Sequence, residues 1–305
     1  MSQAVPVQRG PPSRAEQETL LAKPRTRRVL LSASECRSMA NQDRVATDDR
    51  MVRTRALVRR PGPRLPEGLV SHPVSAPVDL GLAVQQWHGY VEALRGEGWE
   101  IIEVSPADDC PDAVFVEDTV VVHGDLAVIS RPGAEQRRPE IAGTEATLTS
   151  LGYRIARIEP PGCLDGGDVL KGAGVVWVGL SARTNASGVR QLTEVLGPLG
   201  VEVVGVPVSR VLHLKSCVTA LPDSTVVGFA PLVDDPGLWP SFLAVPEEAG
   251  AHVVVLDSSA VLMSTRAPQT RALFESRGLR VVAVDISEYE KLDGCVTCLS
   301  VRLRG

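Results

Sequence analysis

Val114-Phe115-Val116-Glu117-Asp118-Thr119-Val120-Val121-Val122-His123-Gly124-Asp125-Leu126-Ala127-Val128-Ile129-Ser130 is the stretch whose reading decides the fold. Two β-branched runs, 114–123 and 126–130, flank a tight polar turn, which is the pattern of two paired strands. A helical pattern follows over residues 134–151 and a third short strand over 154–158. The same β-β-α-β cadence continues to the end of the chain. Lys171-Gly172-Ala173-Gly174, Pro222-Asp223-Ser224 and Asp257-Ser258-Ser259 each separate two strand-like runs. Further helical patterns lie over 80–96, 186–199 and 267–277, with a weak one over 236–243, and the last strand-like run covers 296–303. The unit recurs roughly every 45–50 residues, about five times, a period that points to radial repetition. A doubly wound sheet would need helices between consecutive parallel strands. It would also offer a phosphate loop, yet Leu164-Asp165-Gly166-Gly167-Asp168 has acids where a phosphate needs bare N–H groups.

Residues 1–50 stand apart, rich in Gln, Pro, Ser and Arg, with no apolar core of the ~7–15 residues that a secretory signal requires. They are expected to be a disordered extension, or to precede the true start at Met51, leaving 51–305 as one catalytic α/β domain. They carry nine basic against six acidic residues, the remainder 23 against 31, for a net charge of −5. An acidic body without a basic stripe argues against nucleic acid. No apolar stretch approaches the ~18 residues of a membrane span. The six cysteines are scattered through a chain too large to need disulfide staples, so free thiols in a reducing cytoplasm are expected.

The chemistry concentrates just before the C-terminus, in Lys291-Leu292-Asp293-Gly294-Cys295-Val296-Thr297-Cys298-Leu299-Ser300-Val301-Arg302. A free Cys is commonly no more than a small buried hydrophobe, but here Gly, Thr and Ser make the surroundings polar. Cys295 and Cys298 form a C-x-x-C. A thioredoxin-like motif would open a helix, and a zinc site would need a second Cys or His pair, so both readings are disfavoured. On a regular strand only one of the two sulfurs would point into a given site. His213 in Leu212-His213-Leu214-Lys215-Ser216 is the histidine best placed for proton transfer. Asp165 and Asp168 flank a Gly-Gly turn, where Asp belongs for backbone reasons but also serves to hold an imidazole. Glu117 and Asp118, with Asp112 nearby, put carboxylates inside an apolar run, which is costly unless they meet a cation. Arg137 and Arg183 follow strands at loops, where arginine forks a carboxylate. A thiol, a base, an acid to orient it and an anionic pocket suit attack on a guanidinium carbon.

These segments jointly resemble the dimethylarginine dimethylaminohydrolases, a branch of the guanidino-group-modifying (pentein) superfamily. The resemblance is carried by Pro111-Asp112-Ala113-Val114-Phe115-Val116-Glu117-Asp118, Arg131-Pro132-Gly133-Ala134-Glu135-Gln136-Arg137-Arg138, Leu164-Asp165-Gly166-Gly167-Asp168, Ser181-Ala182-Arg183-Thr184-Asn185, Leu212-His213-Leu214-Lys215-Ser216 and the Lys291–Cys298 stretch. It runs from about residue 52 to the end, in family order. It implies a five-bladed α/β propeller of ββαβ modules, with Cys298 as nucleophile, His213 as acid/base and Asp165 orienting the histidine. It places Asp112, Glu117 and Asp118 at the guanidinium pocket, Arg137 and Arg183 at the substrate carboxylate, and backbone groups of Leu69 and Leu292 at the amino-acid end. Cys295 falls where the family commonly has Gly or an aliphatic residue. The implied activity is hydrolysis of Nω-methylated arginines to citrulline and methylamines through a covalent Cys-thiouronium, with no metal or organic cofactor and a homodimer as the expected assembly. Arginine deiminase and amidinotransferase activities use the same residue set and stand as alternatives, as does a non-catalytic redox or binding role for the C-x-x-C.

Overall fold

Five small sheets, each built the same way, account for all fifteen strands among the described residues. The structure is a computed structural model and describes residues 54–71 and 76–304; the extension expected over residues 1–50 lies outside them. β1 (Arg55–Val58) runs parallel to β2 (Glu100–Glu103), with helix α1 (Leu80–Gly96) between them. In the next module β3 (Val120–His123) pairs antiparallel with β4 (Leu126–Ile129). Helix α2 (Ile141–Ser150) then leads to β5 (Arg154–Arg157), parallel to β4. The pattern repeats through β6 (Val169–Lys171), β7 (Val175–Leu180), α3 (Ala186–Leu196) and β8 (Glu202–Pro207). It repeats again through β9 (Val218–Ala220), β10 (Val226–Gly228) and β11 (Phe242–Ala244), and then through β12 (Val254–Val255), β13 (Ala260–Ser264), α4 (Pro268–Ser276) and β14 (Arg280–Val284). After a single turn, α5 (Ser287–Glu290), the final strand β15 (Val301–Leu303) returns antiparallel to β1. The last strand thus completes the first module, and the five modules form the α/β propeller-like arrangement expected of the repeat.

Each helix follows from local chemistry. Asp79 caps α1 by accepting from the Leu82 N–H at 3.0 Å. The helix buries Ala83, Trp87, Tyr90, Val91 and Leu94, a stripe at helical spacing. Burying each of the larger side chains stabilises by roughly 1.5–3 kcal/mol. Asn185 caps α3 in the same way through the Gly188 N–H.

Three expectations need correction, and proline or a buried polar group explains each. The pattern over 134–151 is helical only from Ile141; Pro139 lacks an N–H and confines Glu135–Glu140 to 3₁₀ geometry. The weak helix over 236–243 does not form. Pro231, Pro236 and Pro240 leave only two 3₁₀ turns, Ala230–Leu232 and Pro236–Leu238, before β11. The strand over 114–123 starts only at Val120, because Val116–Thr119 forms a 3₁₀ turn in which the Thr119 hydroxyl donates to the Val116 carbonyl at 2.6 Å.

Candidate active site

Four short turns carry the chemistry, and each enters a strand at the edge of its sheet. Val116–Thr119 precedes β3, Gly166–Asp168 precedes β6, Leu214–Ser216 precedes β9, and a turn through residues 295–299 precedes β15. The repeat therefore places Asp118, Asp165, His213 and Cys298 at equivalent points of four modules. A strand would send adjacent side chains to opposite faces, whereas a 3₁₀ turn fans successive side chains around its axis at three residues per turn. Glu117 and Asp118 consequently diverge into different surroundings.

His213 sits between two carboxylates. Its Nε2 lies 3.1 Å from Asp165 Oδ2, and its Nδ1 lies 3.9 Å from Asp118 Oδ1. Asp165 is itself fixed, since Gly133 N–H donates to its Oδ1 at 2.9 Å. Asp168 holds the other side of the turn by accepting from the Leu214 N–H at 2.9 Å and the Ser181 hydroxyl at 2.7 Å. Burial pulls the imidazole down, but Asp118, Asp165 and Asp168 together outweigh it and raise His213 to about 9. Burial pushes Asp118 up, yet the His213 and Arg137 charges outweigh that and hold it down at about 2. The imidazolium and the Asp118 carboxylate therefore coexist at neutral pH, a proton donor beside an anion.

Cys298 shares one cleft with His213, Asp118, Asp112, Arg183 and Leu292, and is 8% exposed to it. The strand expected over 296–303 begins only at Val301. Residues 295–298 instead form a turn closed by the Cys298 N–H donating to the Cys295 carbonyl at 3.1 Å. The two sulfurs thus lie side by side at 3.4 Å rather than on opposite faces. Their hydrogen bond makes one proton easy to lose and the second hard. Cys295 is pulled down to about 5 by its bond to Cys298, and the same bond, with burial, pushes Cys298 up.

The remaining expected residues divide between the cleft and its walls. Leu69 lines the cleft and donates its N–H to both oxygens of Asp112, at 3.1 and 3.3 Å. Arg183 also lines it, and its buried Nη1 makes no hydrogen bond, its partner being Asp165 Oδ2 at 3.8 Å. Arg137 lines the cleft as well. Its guanidinium grips Asp118 Oδ2 at 2.6 Å and Glu140 Oε2 at 2.8 Å and reaches the Asp112 and Phe115 carbonyls, so it also fixes the acid. Glu117 does not line the cleft. It lies behind it, bonded to Lys215 Nζ at 2.6 Å and Arg302 Nη2 at 2.5 Å.

Several residues that shape the site were given no role by the sequence. Arg302 donates to the Thr297 and Ser300 carbonyls at 2.7 and 2.6 Å, and the Tyr90 hydroxyl donates to the Val296 carbonyl at 2.9 Å. Together they fix the turn that carries Cys298. Asp293, at φ 56°, accepts from the Ser71 N–H at 2.6 Å and its hydroxyl at 2.7 Å, tying the Leu69 segment to the cleft. Arg302 stands as a charge at the edge of an apolar run, and Lys215 lies within the Leu212–Ser216 motif. Tyr90 offered none beyond its place on the apolar face of α1.

Asp118, Asp165 and His213 bring donor atoms within 4.8 Å of one another, near enough for a metal ion. Their donors are already taken by Arg137, Gly133 N–H, Gly167 N–H and each other, and two guanidiniums stand beside them. The set is better suited to moving protons. Gly167 shows how closely it is packed. Its N–H donates to Asp118 Oδ1 at 2.9 Å, and a Cβ there would fall 2.6 Å from that oxygen and 2.7 Å from His213 Nδ1. Gly167→Ala should therefore displace both groups and lower turnover by about 10²-fold. Far-UV circular dichroism should stay unchanged, and turnover within a few-fold of wild type would show that the turn has room to shift.

No family model matches the chain. It is 60% identical over 250 residues to the N(G),N(G)-dimethylarginine dimethylaminohydrolase of Streptomyces coelicolor, covering 82% of this chain and 97% of that one. Among solved structures, it superposes with a TM-score of 0.77 at 34% identity on a cysteine-to-serine variant of the Pseudomonas aeruginosa enzyme complexed with citrulline. That match covers 82% of this chain and 98% of the other. A dimethylarginine dimethylaminohydrolase histidine-to-glycine variant, as an adduct with S-methyl-L-thiocitrulline, gives a TM-score of 0.78 at 33% identity over 83% of this chain and all of that one.

Proposed function

This chain belongs to the dimethylarginine dimethylaminohydrolase family, hydrolases of guanidino C–N bonds, and we propose that it converts Nω-methylated arginines to citrulline and methylamines with Cys298 as the covalent nucleophile. The observation that carries this reading is the meeting of Cys298, His213, Asp112, Asp118 and Arg183 in one narrow cleft.

A guanidinium resists attack because it is delocalised and cationic. Asp118 and Asp112 accept its N–H groups and fix the carbon, while Arg183, whose Nη1 donates no hydrogen bond within the protein, receives the carboxylate at the far end of the substrate. A cation held beside the sulfur pair draws the negative charge onto Cys298, since Cys298 faces the cleft and Cys295 lies behind it. The thiolate adds to the guanidinium carbon. His213 protonates the departing amine, which could not leave as an anion. Water, deprotonated by the now neutral imidazole, then resolves the thiouronium to citrulline. Asp165 keeps the imidazole in place throughout.

Incubation with dimethylarginine, monomethylarginine and arginine, with citrulline as the readout, tests the reading. Turnover of arginine alone would turn the assignment toward deimination. Asp118→Asn should weaken binding of the cationic substrate by about 10–100-fold, because an amide cannot balance the charge and directs N–H groups at donors. In that variant, alkylation of Cys298 by a cationic amidine should slow much more than alkylation by a neutral reagent. Equal slowing would make Asp118 a supporting residue only.

The reading also includes a cytoplasmic location. Among the described residues no helix is long and apolar enough to cross a membrane, and Cys110, Cys163, Cys217, Cys295 and Cys298 are free thiols. A homodimer is part of the same proposal and is checked by light scattering on the purified chain. We treat 51–305 as the catalytic domain.

A further inference from the structure

Three of the described cysteines have no sulfur neighbour. Cys110 meets the Gln136 carbonyl, Cys163 meets Arg131, and Cys217 donates to the Leu214 carbonyl. Only the nucleophile has a second thiol against it. The turn closed from Cys298 N–H to Cys295 O keeps the two α-carbons within about 7 Å, overlapping the roughly 4.4–6.8 Å range of disulfides. The sulfurs stand at 3.4 Å and need to close to about 2.0 Å to bond. Side-chain rotation supplies that approach, while Arg302 and Tyr90 hold the backbone of the turn in register.

We propose that Cys295 is a resolving thiol for Cys298. A peroxide-class oxidant converts the pair to a Cys295–Cys298 disulfide that stops turnover, and thiol reductants restore it. The inference rests on Cys298 being the nucleophile. The chemistry balances with hydrogen peroxide as the oxidant. Thiolate attack on the O–O bond forms an S–O bond and expels hydroxide, leaving Cys298 as sulfenic acid. The Cys295 sulfur then attacks that sulfur, the S–S bond forms, the S–O bond breaks and a second hydroxide departs. With the two protons of the starting thiols, the products are one disulfide and two waters.

Position decides which sulfur reacts first. Cys298 lines a cleft shaped to admit a guanidinium, so a small peroxide reaches it, while Cys295 is set behind it and bonded to the Thr297 hydroxyl at 3.3 Å. A sulfenic acid with no thiol beside it is open to irreversible oxidation to sulfinic acid, whereas one in contact with a thiol condenses first. The alternation expected of a strand would have denied Cys298 this partner. The turn provides it.

The test uses the full chain, reduced and freed of reductant, then exposed to hydrogen peroxide. Citrulline formation should fall by more than about tenfold and return almost completely with dithiothreitol. Mass analysis of the tryptic peptide 292–302 should show it short of two hydrogens and closed to alkylation. Cys295→Ser should lose activity to peroxide and recover less than about a tenth of it with dithiothreitol, its Cys298 carrying two added oxygens. Absence of the disulfide peptide from inactivated wild type would overturn the inference, whether or not the variant folds. Recovery of Cys295→Ser as full as that of wild type would overturn it too. Reduced Cys298→Ser separates this inference from the reading beneath it. If that variant is inactive and no disulfide forms, the resolving role alone fails. If it still turns over, the nucleophile assignment fails first.

Discussion

Cys298→Ser is expected to leave no citrulline formation above background, a loss of at least about 10⁴-fold, with the fold unchanged. A serine hydroxyl is far from ionised at neutral pH, and the histidine of the site is not free to take its proton before attack. His213 is already an imidazolium under its three carboxylates, so it is an acid awaiting the leaving group rather than a base awaiting the nucleophile. A thiol escapes this difficulty, because it loses its proton far more readily than a hydroxyl and a bound guanidinium favours the charge on the cleft-facing sulfur. Serine also leaves the cleft almost undisturbed. The variant should therefore still bind dimethylarginine, measured by calorimetry, while forming no covalent adduct by mass spectrometry. Retained turnover would remove Cys298 from the mechanism.

The repeat was legible because it is periodic. β-branched runs, polar turns and helical stripes each carry their own spacing, and all strands but β11 lie within runs visible in the sequence. β11 was hidden among prolines that resemble a broken helix. The turns before the strands were not legible, and they are what the site is made of. Val114-Phe115-Val116 and Val296-Thr297-Cys298-Leu299 have strand composition, yet buried partners bend both. Tyr90, more than 200 positions upstream, captures the Val296 carbonyl that a continued ladder would have used, and Arg302 takes that of Thr297. Such long-range capture leaves no local trace.

The same limit explains how neighbouring charges divide their work. Glu117 and Asp118 are neighbours and both acids, so composition alone gives them one role. The turn geometry separates them, sending Asp118 to His213 and Glu117 to Lys215 and Arg302. Arg137, expected at the substrate carboxylate, lines the cleft, and Glu140 three residues on and Asp118 engage its guanidinium from two sides. The motif located the cluster, and only packing distributes the work within it.

His213→Gln is expected to produce the second large loss, since protonation of the amine and activation of the water are each worth roughly 10²–10⁴-fold. The pH dependence identifies the first of these steps. Burial lowers the imidazole, the three carboxylates more than reverse this, and the result near 9 keeps His213 protonated through neutral pH. A raised value means that the acid form is complete well below 9 and is lost as pH rises through it. Wild-type kcat/KM should therefore fall above about 9, and this limb should be absent from His213→Gln. The second step can be isolated with a substrate analogue whose leaving group is a thiolate, which departs without a proton. Attack by Cys298 should then proceed in the variant, and the thiouronium adduct should accumulate because the water that resolves it still lacks a base. Rapid hydrolysis of that adduct in His213→Gln would mean that another group activates the water. Asp118 would then be the nearest candidate, with its Oδ1 3.9 Å from the same ring nitrogen.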